Sequence, residues 1–169
     1  MKKAVHPVIG SGKGRAIRAH LRLLLLAMLS AAVAACATDP LLLGTWQLIV
    51  SMSNYSPGPA PRSQTRTYEA YTDGIKVTIR TVLAGGESTV LEYPANEDGK
   101  DYPVTGSPGS IDAISMEKTG DHVATSILKH AGKELGVAER TISGDGKTMT
   151  VTYKTKDGTV KNTAVYKKQ

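Results

Sequence analysis

The sequence predicts an all-β fold, an antiparallel up-and-down β-barrel of about eight to ten strands that follows an N-terminal signal helix. Three observations lead to this prediction. After residue 43, short segments alternate apolar and polar side chains, turn-forming dipeptides separate these segments, and no helical period occurs among them. A meander of this many strands leaves two unpaired edges unless it closes on itself, so closure into a barrel is expected.

The predicted strands follow the period of two that is typical of a half-buried sheet. Between residues 75 and 80, isoleucine and valine alternate with lysine, threonine and arginine, and residues 148–154 repeat the pattern with methionine, valine and tyrosine. The first strand is expected to carry Trp46, Leu48 and Val50 on one face. The predicted strands are 44–51, 65–71, 75–82, 88–93, 111–118, 122–129, 135–143, 148–154 and 160–167.

Dipeptides that contain glycine lie between most of these strands, and they readily adopt the positive φ that tight hairpin turns require. They are Asp73-Gly74, Gly85-Gly86, Asp98-Gly99, Gly120-Asp121, Asp145-Gly146 and Asp157-Gly158.

Two longer connections remain. Residues 53–63 contain Pro57, Pro59 and Pro61, which exclude a regular helix or a central strand, so an irregular flap is predicted. Residues 94–109 form either an ordered loop over a barrel mouth or a loop with a short edge strand at 101–104.

The first 35 residues predict a signal peptide. Residues 1–22 are basic, and residues 23–35 form an apolar run of 13 residues, interrupted only by Ser30 and too short to span a bilayer. Val33-Ala34-Ala35-Cys36 then resembles a bacterial lipobox, in which the cysteine is acylated with chains such as palmitate before cleavage. Lipidation of Cys36 would account for the one cysteine of the chain. An ordinary signal peptide, which would leave a free thiol, and an uncleaved anchor are the alternatives.

These features divide the chain into a signal peptide (1–35), a lipid-modified cysteine with a short tether and turn (36–43), and a barrel domain (44–169). Asp39 and Pro40 predict a short helical turn, because Asp caps a helix and Pro fits its first position. The leucines at 41–43 are expected to close one end of the barrel. Ala37 follows the cysteine, and by resemblance to bacterial sorting patterns this favours the periplasmic face of the outer membrane. The membrane is thus a predicted partner through Cys36.

Charge gives no support for a nucleic-acid partner. The net charge of +6 comes from six basic residues before residue 36, and the remaining chain has 15 basic and 15 acidic residues. A neutral domain offers no basic face that could follow a phosphate backbone. The domain is expected to act as a monomer in the bacterial cell envelope.

The ends of the barrel domain resemble the lipocalin and fatty-acid-binding (calycin) barrels. Gly44-Thr45-Trp46 is similar to the opening of their first strand, where the Trp plugs the closed end. Residues 163–168 are similar to the last strand of fatty-acid-binding proteins, with Tyr166 at the position of a carboxylate-binding Tyr and Ala164 at that of its Arg. A late lipocalin Arg stacks on the first-strand Trp, and Arg140 is the candidate. The chain also resembles a group of bacterial exported lipoproteins with a Gly-Thr-Trp start, a Ser56-Pro57-Gly58-Pro59 flap and an Asp98-Gly99-Lys100 loop.

The candidate ligand-binding residues are aromatic or cationic side chains in predicted strands. Arg140 is expected to point inward, whereas Arg80 is in phase with Lys76 and faces solvent. Trp46 either lines a cavity or only plugs the barrel, and the tyrosines either bind a ligand or fill space left by the absence of Phe. The set is Trp46, Tyr68, Tyr93, Arg140, Tyr153 and Tyr166.

The sequence predicts no catalytic centre, metal site or cofactor. His122 and His130 lack metal-ligand spacing and are interpreted as surface residues, and no nucleophile elbow or phosphate loop occurs. The predicted function is therefore that of an envelope lipoprotein whose barrel binds a small, mostly apolar, lipid-like molecule without catalysis. The alternative is a structural or partner-binding envelope lipoprotein with a solid barrel.

Overall fold

The computed structural model describes Met1 and residues 38–72, 74–106 and 110–169. The predicted signal peptide, the lipobox with Cys36, and Asp73 of one predicted turn lie outside the described residues. Within them the chain forms strands and one short 3-10 turn, Val50–Met52, and it has no α-helix. No helix in this part of the chain is long and apolar enough to cross a bilayer.

The strands follow the alternating pattern of the sequence. Along β4, for example, Ile75 and Val77 are buried, whereas Arg80 on the opposite face is exposed, as predicted. The strands of the described residues are β1 (Gly44–Leu48), β2 (Asn54–Tyr55), β3 (Ser63–Tyr71), β4 (Gly74–Val82), β5 (Ser88–Ala95), β6 (Asp98–Pro103), β7 (Ala113–Gly120), β8 (Val123–His130), β9 (Lys133–Ile142), β10 (Thr148–Thr155) and β11 (Val160–Lys168).

Ten of these strands form one antiparallel path in the order β5-β4-β3-β1-β11-β10-β9-β8-β7-β6, and β2 pairs with β11 beside it. The first and last predicted strands are neighbours, with Trp46 opposite Lys168 and Leu48 opposite Tyr166. On its other side β1 pairs with β3. The predicted up-and-down β-barrel is therefore confirmed, in a nearly closed form.

The barrel is least complete where the two ends of the path, β5 and β6, meet. We call this junction the seam. Among the described residues one bridge crosses it, in which Glu92 and Thr105 exchange both backbone hydrogen bonds at 2.9 Å. Pro94 on β5 and Pro103 on β6 fit these positions, because proline cannot donate to a neighbouring strand and is confined to sheet edges.

A turn before β1 covers one end of the barrel, which we call the closed end. The Leu41 N–H donates to Asp39 Oδ1 at 2.9 Å, so Asp39 caps the turn as predicted. Leu42 is fully buried, and its carbonyl accepts from Trp46 Nε1 at 2.8 Å. Lys168 Nζ donates to the Leu41 carbonyl at 2.7 Å and lies 5.2 Å from the centre of the Trp46 ring. The N-terminal turn, the first strand and the last strand are thus joined at this end.

The structure corrects three details of the predicted elements. The first strand ends at Leu48 rather than residue 51, and Val50 is exposed in the 3-10 turn instead of sharing the face of Trp46. The proline-rich flap begins with a short strand, in which Tyr55 lies opposite Asn162 of β11. The short edge strand predicted at 101–104 exists but is longer, and it forms β6.

Candidate functional site

The barrel encloses a cavity of about 350 Å³ between the closed end and the opposite end, which we call the open end. The open end carries the β4–β5, β8–β9 and β10–β11 turns and the start of the flap. Eight strands contribute to the cavity, and β1 does not. The lining residues are Gln64, Arg66, Tyr68, Ile79, Thr81, Thr89, Val90, Leu91, Tyr93, Val104, Ile111, Ile114, Met116, Ser126, Leu128, Ala138, Arg140, Val151, Tyr153 and Asn162.

The cavity lining has an apolar part and a polar part. Along β5 and β9, the inward side chains pass from partly exposed Leu91 and Ala138 to buried Tyr93 and Arg140. The next inward residues, Ala95 and Ile142, are buried and do not line the cavity. On these strands the polar residues therefore lie deeper than the aliphatic wall. We call Arg66, Tyr68, Tyr93, Arg140 and Tyr166 the polar cluster.

Arg140 is a buried cation with a carboxylate partner. Its side chain is 7% exposed and that of Glu97 is 5% exposed, and Nη2 of the arginine donates to Glu97 Oε1. Nη1 lies 3.6 Å from Met116 Sδ, and the guanidinium lies 5.8 Å from the centre of the Tyr68 ring. Breaking a buried pair of this kind costs several kcal/mol, about 3–5 in comparable cases, because one charge is left without its partner. Glu97 therefore fixes Arg140 against the wall.

Arg66 is the second cation of the cluster, and other polar side chains hold it. Its Nε donates to the Tyr166 hydroxyl at 3.1 Å, and the guanidinium lies 5.2 Å from the centre of the Tyr166 ring. The Tyr166 hydroxyl donates to Gln64 Oε1, and Gln64 Nε2 donates to Thr81 Oγ1 at 2.8 Å. Burial opposes the charge, but the phenolic oxygens of neighbouring tyrosines outweigh it and raise the pKa of Arg66. Arg66 thus remains a cation.

The Tyr93 and Tyr166 phenols of the cluster stay protonated at neutral pH. Burial raises the pKa of Tyr93, and the neighbouring Tyr68 raises it further. Burial also raises the pKa of Tyr166, although Arg66 opposes this shift. Protonated phenols can donate hydrogen bonds, so the cavity offers cations and neutral donors beside an apolar wall.

The structure brings together most of the residues that the sequence singled out. Tyr68, Tyr93, Arg140 and Tyr153 line the cavity, and Tyr166 contacts it through Arg66 and Gln64. Trp46 is not part of the lining. It is fully buried at the closed end. The cation near its ring is Lys168, whereas Arg140 lies over Tyr68, so the expected stacking of Arg140 on Trp46 is wrong.

Sequence reasoning missed three residues of the site. Arg66 lies two residues before Tyr68 on one strand, so a period-two count places both on the same face and could have found it. Gln64 follows from the same count. Glu97 gave no such signal, because it lies in the short connection between β5 and β6, where alternation does not predict orientation.

The histidines and the strand glutamates Glu69 and Glu139 do not line the cavity. His122, interpreted as a lone surface residue, instead contacts Asp39, with Nδ1 2.6 Å from Oδ2. Its φ is 59°, so it is the residue with positive φ beside the predicted Gly120-Asp121 turn. Glu69 and Glu139 are exposed. No group of three His, Cys, Asp or Glu side chains that could hold a metal occurs in the part of the chain that the structure describes.

Comparison with known proteins does not assign the chain to a family. No protein-family model matches the chain. A search of curated proteins also finds no match. Among solved structures, a redesigned β-barrel is similar, with 13% sequence identity, 76% of this chain and 92% of that chain covered, and a TM-score of 0.46.

Proposed function

We propose that this chain is a lipocalin-like envelope lipoprotein that binds a small, mostly apolar molecule inside its barrel and breaks no bond in it. In this proposal Cys36 is lipidated and holds the domain at the periplasmic face of the outer membrane. The observation that carries the binding function is the cavity of about 350 Å³. Ligand cavities usually fall between about 300 and 1,000 Å³ and combine an apolar lining with a few polar groups.

Two features of the cavity support a binding role. Its walls contain aliphatic side chains from several strands, among them Ile79, Leu91 and Leu128. Its polar groups come from different strands and converge in one cluster, which is the arrangement that orients a bound molecule. The cavity weighs against the alternative of a solid barrel that only binds a partner protein.

The test is native mass spectrometry of the protein after mild extraction from membranes. We expect a co-purifying small molecule in addition to the lipid on Cys36. Ala138 lines the cavity, so Ala138→Phe should fill part of it and reduce the bound fraction. Thr141 is an exposed residue of the same strand, and Thr141→Phe is the matched control that should keep the ligand. Absence of any additional mass in the unmodified chain, or equal binding by both variants, would contradict the proposal.

A further inference from the structure

Two aliphatic side chains are exposed at the open end of the barrel, on neighbouring turns. Leu135, at the β8–β9 turn, is 39% exposed, and Val160, at the β10–β11 turn, is 50% exposed. Strands β9, β10 and β11 follow one another in the sheet, so both side chains lie on the same side of the open end. A single exposed aliphatic residue is common on protein surfaces, but each of these two lies at a β-bulge.

The bulge on β11 directs Val160 outward. Tyr153 of β10 lies opposite Asn162, but the next residue, Lys154, lies opposite Val160, so Lys161 is the extra residue. In a regular strand Val160 would share the face of Asn162, which lines the cavity. Since cross-strand partners share one face, the bulge places Val160 beside Lys154 on the outer face of the barrel.

The second bulge lies on β9. Leu128 of β8 lies opposite Gly136, and Lys129 lies opposite Glu134, so Leu135 is the extra residue between them. Bulges at the rims of barrels often change the direction of a side chain next to a functional site. Two neighbouring bulges, each with an exposed aliphatic side chain, therefore indicate a contact surface at this part of the rim.

The same turns carry an excess of positive charge. Four lysines lie in residues 133–137 and 154–161, and none of them has a carboxylate within 4.0 Å in the described part of the chain. These lysines are Lys133, Lys154, Lys156 and Lys161. Glu134 and Asp157 are the acidic residues of these two segments, and Asp157 already accepts from the Thr159 N–H at 3.0 Å. We call the four lysines, with Leu135 and Val160, the basic rim.

The basic rim borders the mouth of the cavity, because Tyr153 and Asn162, the pair next to the bulge, both line it. On the basis of the binding function proposed above, we propose that the basic rim docks a soluble protein that carries carboxylates around an apolar patch, and that this protein delivers or receives the ligand. The lysines attract such a partner, and the two aliphatic side chains contact its apolar patch. The proposed anchor at Cys36 precedes the closed end in the sequence, so a soluble partner suits the open end better than the anchoring bilayer.

Site-directed photocrosslinking of the full chain in its native cells tests this inference. A benzophenone amino acid replaces either Val160 or Thr141, an exposed residue of β9 nearer the closed end. We expect one discrete adduct from position 160 and none from position 141, and mass spectrometry of the adduct should identify an acidic protein. Lys156→Glu should lower the yield of this adduct at least about threefold, because reversal of a rim charge slows association.

Two comparisons exclude a general effect of charge. Lys167→Glu makes the same change at an exposed position of β11 near the closed end, and it should leave the adduct yield unchanged. The Cys36→Ala protein, mixed with vesicles of phosphatidylglycerol and phosphatidylethanolamine, tests a lipid surface as the occupant. Vesicle binding that Lys156→Glu removes would assign the basic rim to lipid and overturn the proposal. Absence of a protein adduct from position 160, or an equal yield in Lys156→Glu, would also overturn it.

Retention of the ligand separates this inference from the binding function. Lys156 does not line the cavity, so Lys156→Glu should keep the co-purifying molecule in native mass spectrometry. Loss of the docking result with the ligand retained would leave the binding function in place. A charge-dependent adduct from a chain without any co-purifying molecule would support the docking surface but contradict the binding function and the delivery of a ligand.

Discussion

At the scale of single residues, the contact between Asp39 and His122 joins the N-terminal turn to the start of β8. Asp39 is 5% exposed, and besides His122 it accepts a hydrogen bond from the Leu41 N–H. Burial raises the pKa of Asp39, but the hydrogen bonds from His122 and Leu41 outweigh burial and lower it. A carboxyl group with a lowered pKa stabilises the fold while it is ionised.

Asp39→Asn should therefore reduce stability in a pH-dependent way. Asn keeps an oxygen for the Leu41 N–H, so the change removes mainly the charge, and we expect a loss of about 1 kcal/mol near neutral pH. The contribution of Asp39 is present above its unfolded pKa, about 3.9, and disappears as the pH falls through its lower folded pKa. Urea unfolding at several pH values measures this difference. Asp121→Asn, at an exposed neighbouring position, is the control, and a difference that persists undiminished at the lowest pH would refute the assignment.

At the scale of elements, the seam depends on a close approach of the chain after β6 to β5. Gly106 has a φ of 79°, and a Cβ at this position would lie 2.3 Å from the Val90 carbonyl oxygen. Only glycine fits both conditions, because a side chain strains this conformation and collides with the backbone of the opposite strand. Gly106 thus allows Thr105 to bridge to Glu92.

Gly106→Ala should open the seam. Gly99 has a similar φ of 75° but open space around it, so Gly99→Ala is a control for the backbone strain alone. We expect Gly99→Ala to cost about 1 kcal/mol and Gly106→Ala to cost more, because of the added collision with Val90. Hydrogen exchange of the Thr105 amide, measured by NMR, should accelerate in Gly106→Ala only. Equal exchange rates in the two variants would show that the bridge does not depend on this approach.

At the scale of the whole molecule, the described part of the domain begins at the closed end, two residues after the proposed anchor in the sequence. Thr38 follows Cys36 by two residues, which span at most about 7 Å. In the lipidated protein the closed end should therefore face the bilayer. Lys147 lies in the β9–β10 turn, where its carbonyl accepts from the Lys168 N–H. A Cβ at the adjacent Gly146 would lie 3.0 Å from Leu41 Cδ2. Exposed Lys133 and Lys156 lie at the open end.

Limited trypsin digestion compares the membrane-bound protein with the Cys36→Ala variant, which we expect in the soluble periplasmic fraction. Cleavage after Lys133 and Lys156 should be similar in both forms. Cleavage after Lys147 should be slower in the membrane-bound form, because the bilayer shields that turn. Cys36→Ala protein that stays in the membrane fraction would contradict the anchor, and equal cleavage after Lys147 would contradict the orientation.

The barrel could be predicted from the sequence because closure follows from local patterns. The alternation in β4 and β10 indicated which face of each strand is buried. A meander of this many strands would leave two unpaired edges unless it closed into a barrel. The seam could not be predicted, since the bridge joins Glu92 of β5 to Thr105, which lies in a connection without any period. The end of β1 was missed for a related reason. Val50 continues the apolar alternation, but the chain turns away from the sheet before it.

The site was only partly predictable. The inward direction of Arg140 followed from its neighbours Ala138 and Ile142 on one face, and the structure confirms it. Its partner Glu97 depends on how the β5–β6 connection folds back into the barrel, which no local rule determines. The resemblance to fatty-acid-binding proteins placed a missing cation at Ala164, but the cation nearest Tyr166 is supplied by Arg66 of β3, on the other side of β1 from β11. Long-range contacts therefore decide the electrostatics of the cavity.

The buried side chains of Trp46 and Leu42 at the closed end, which act as a plug, have a consequence for the route by which a ligand would enter the barrel. Strands of about nine residues, tilted as in other barrels, place the opposite rim roughly 20 to 30 Å from the plug. With the plug turned toward the lipid surface, a molecule leaving the bilayer would have to cross this distance through water before it could enter. For the anchored binding protein proposed above, this geometry would favour loading and unloading from the periplasmic side, by exchange with soluble donors and acceptors, over direct extraction from the leaflet that holds the anchor.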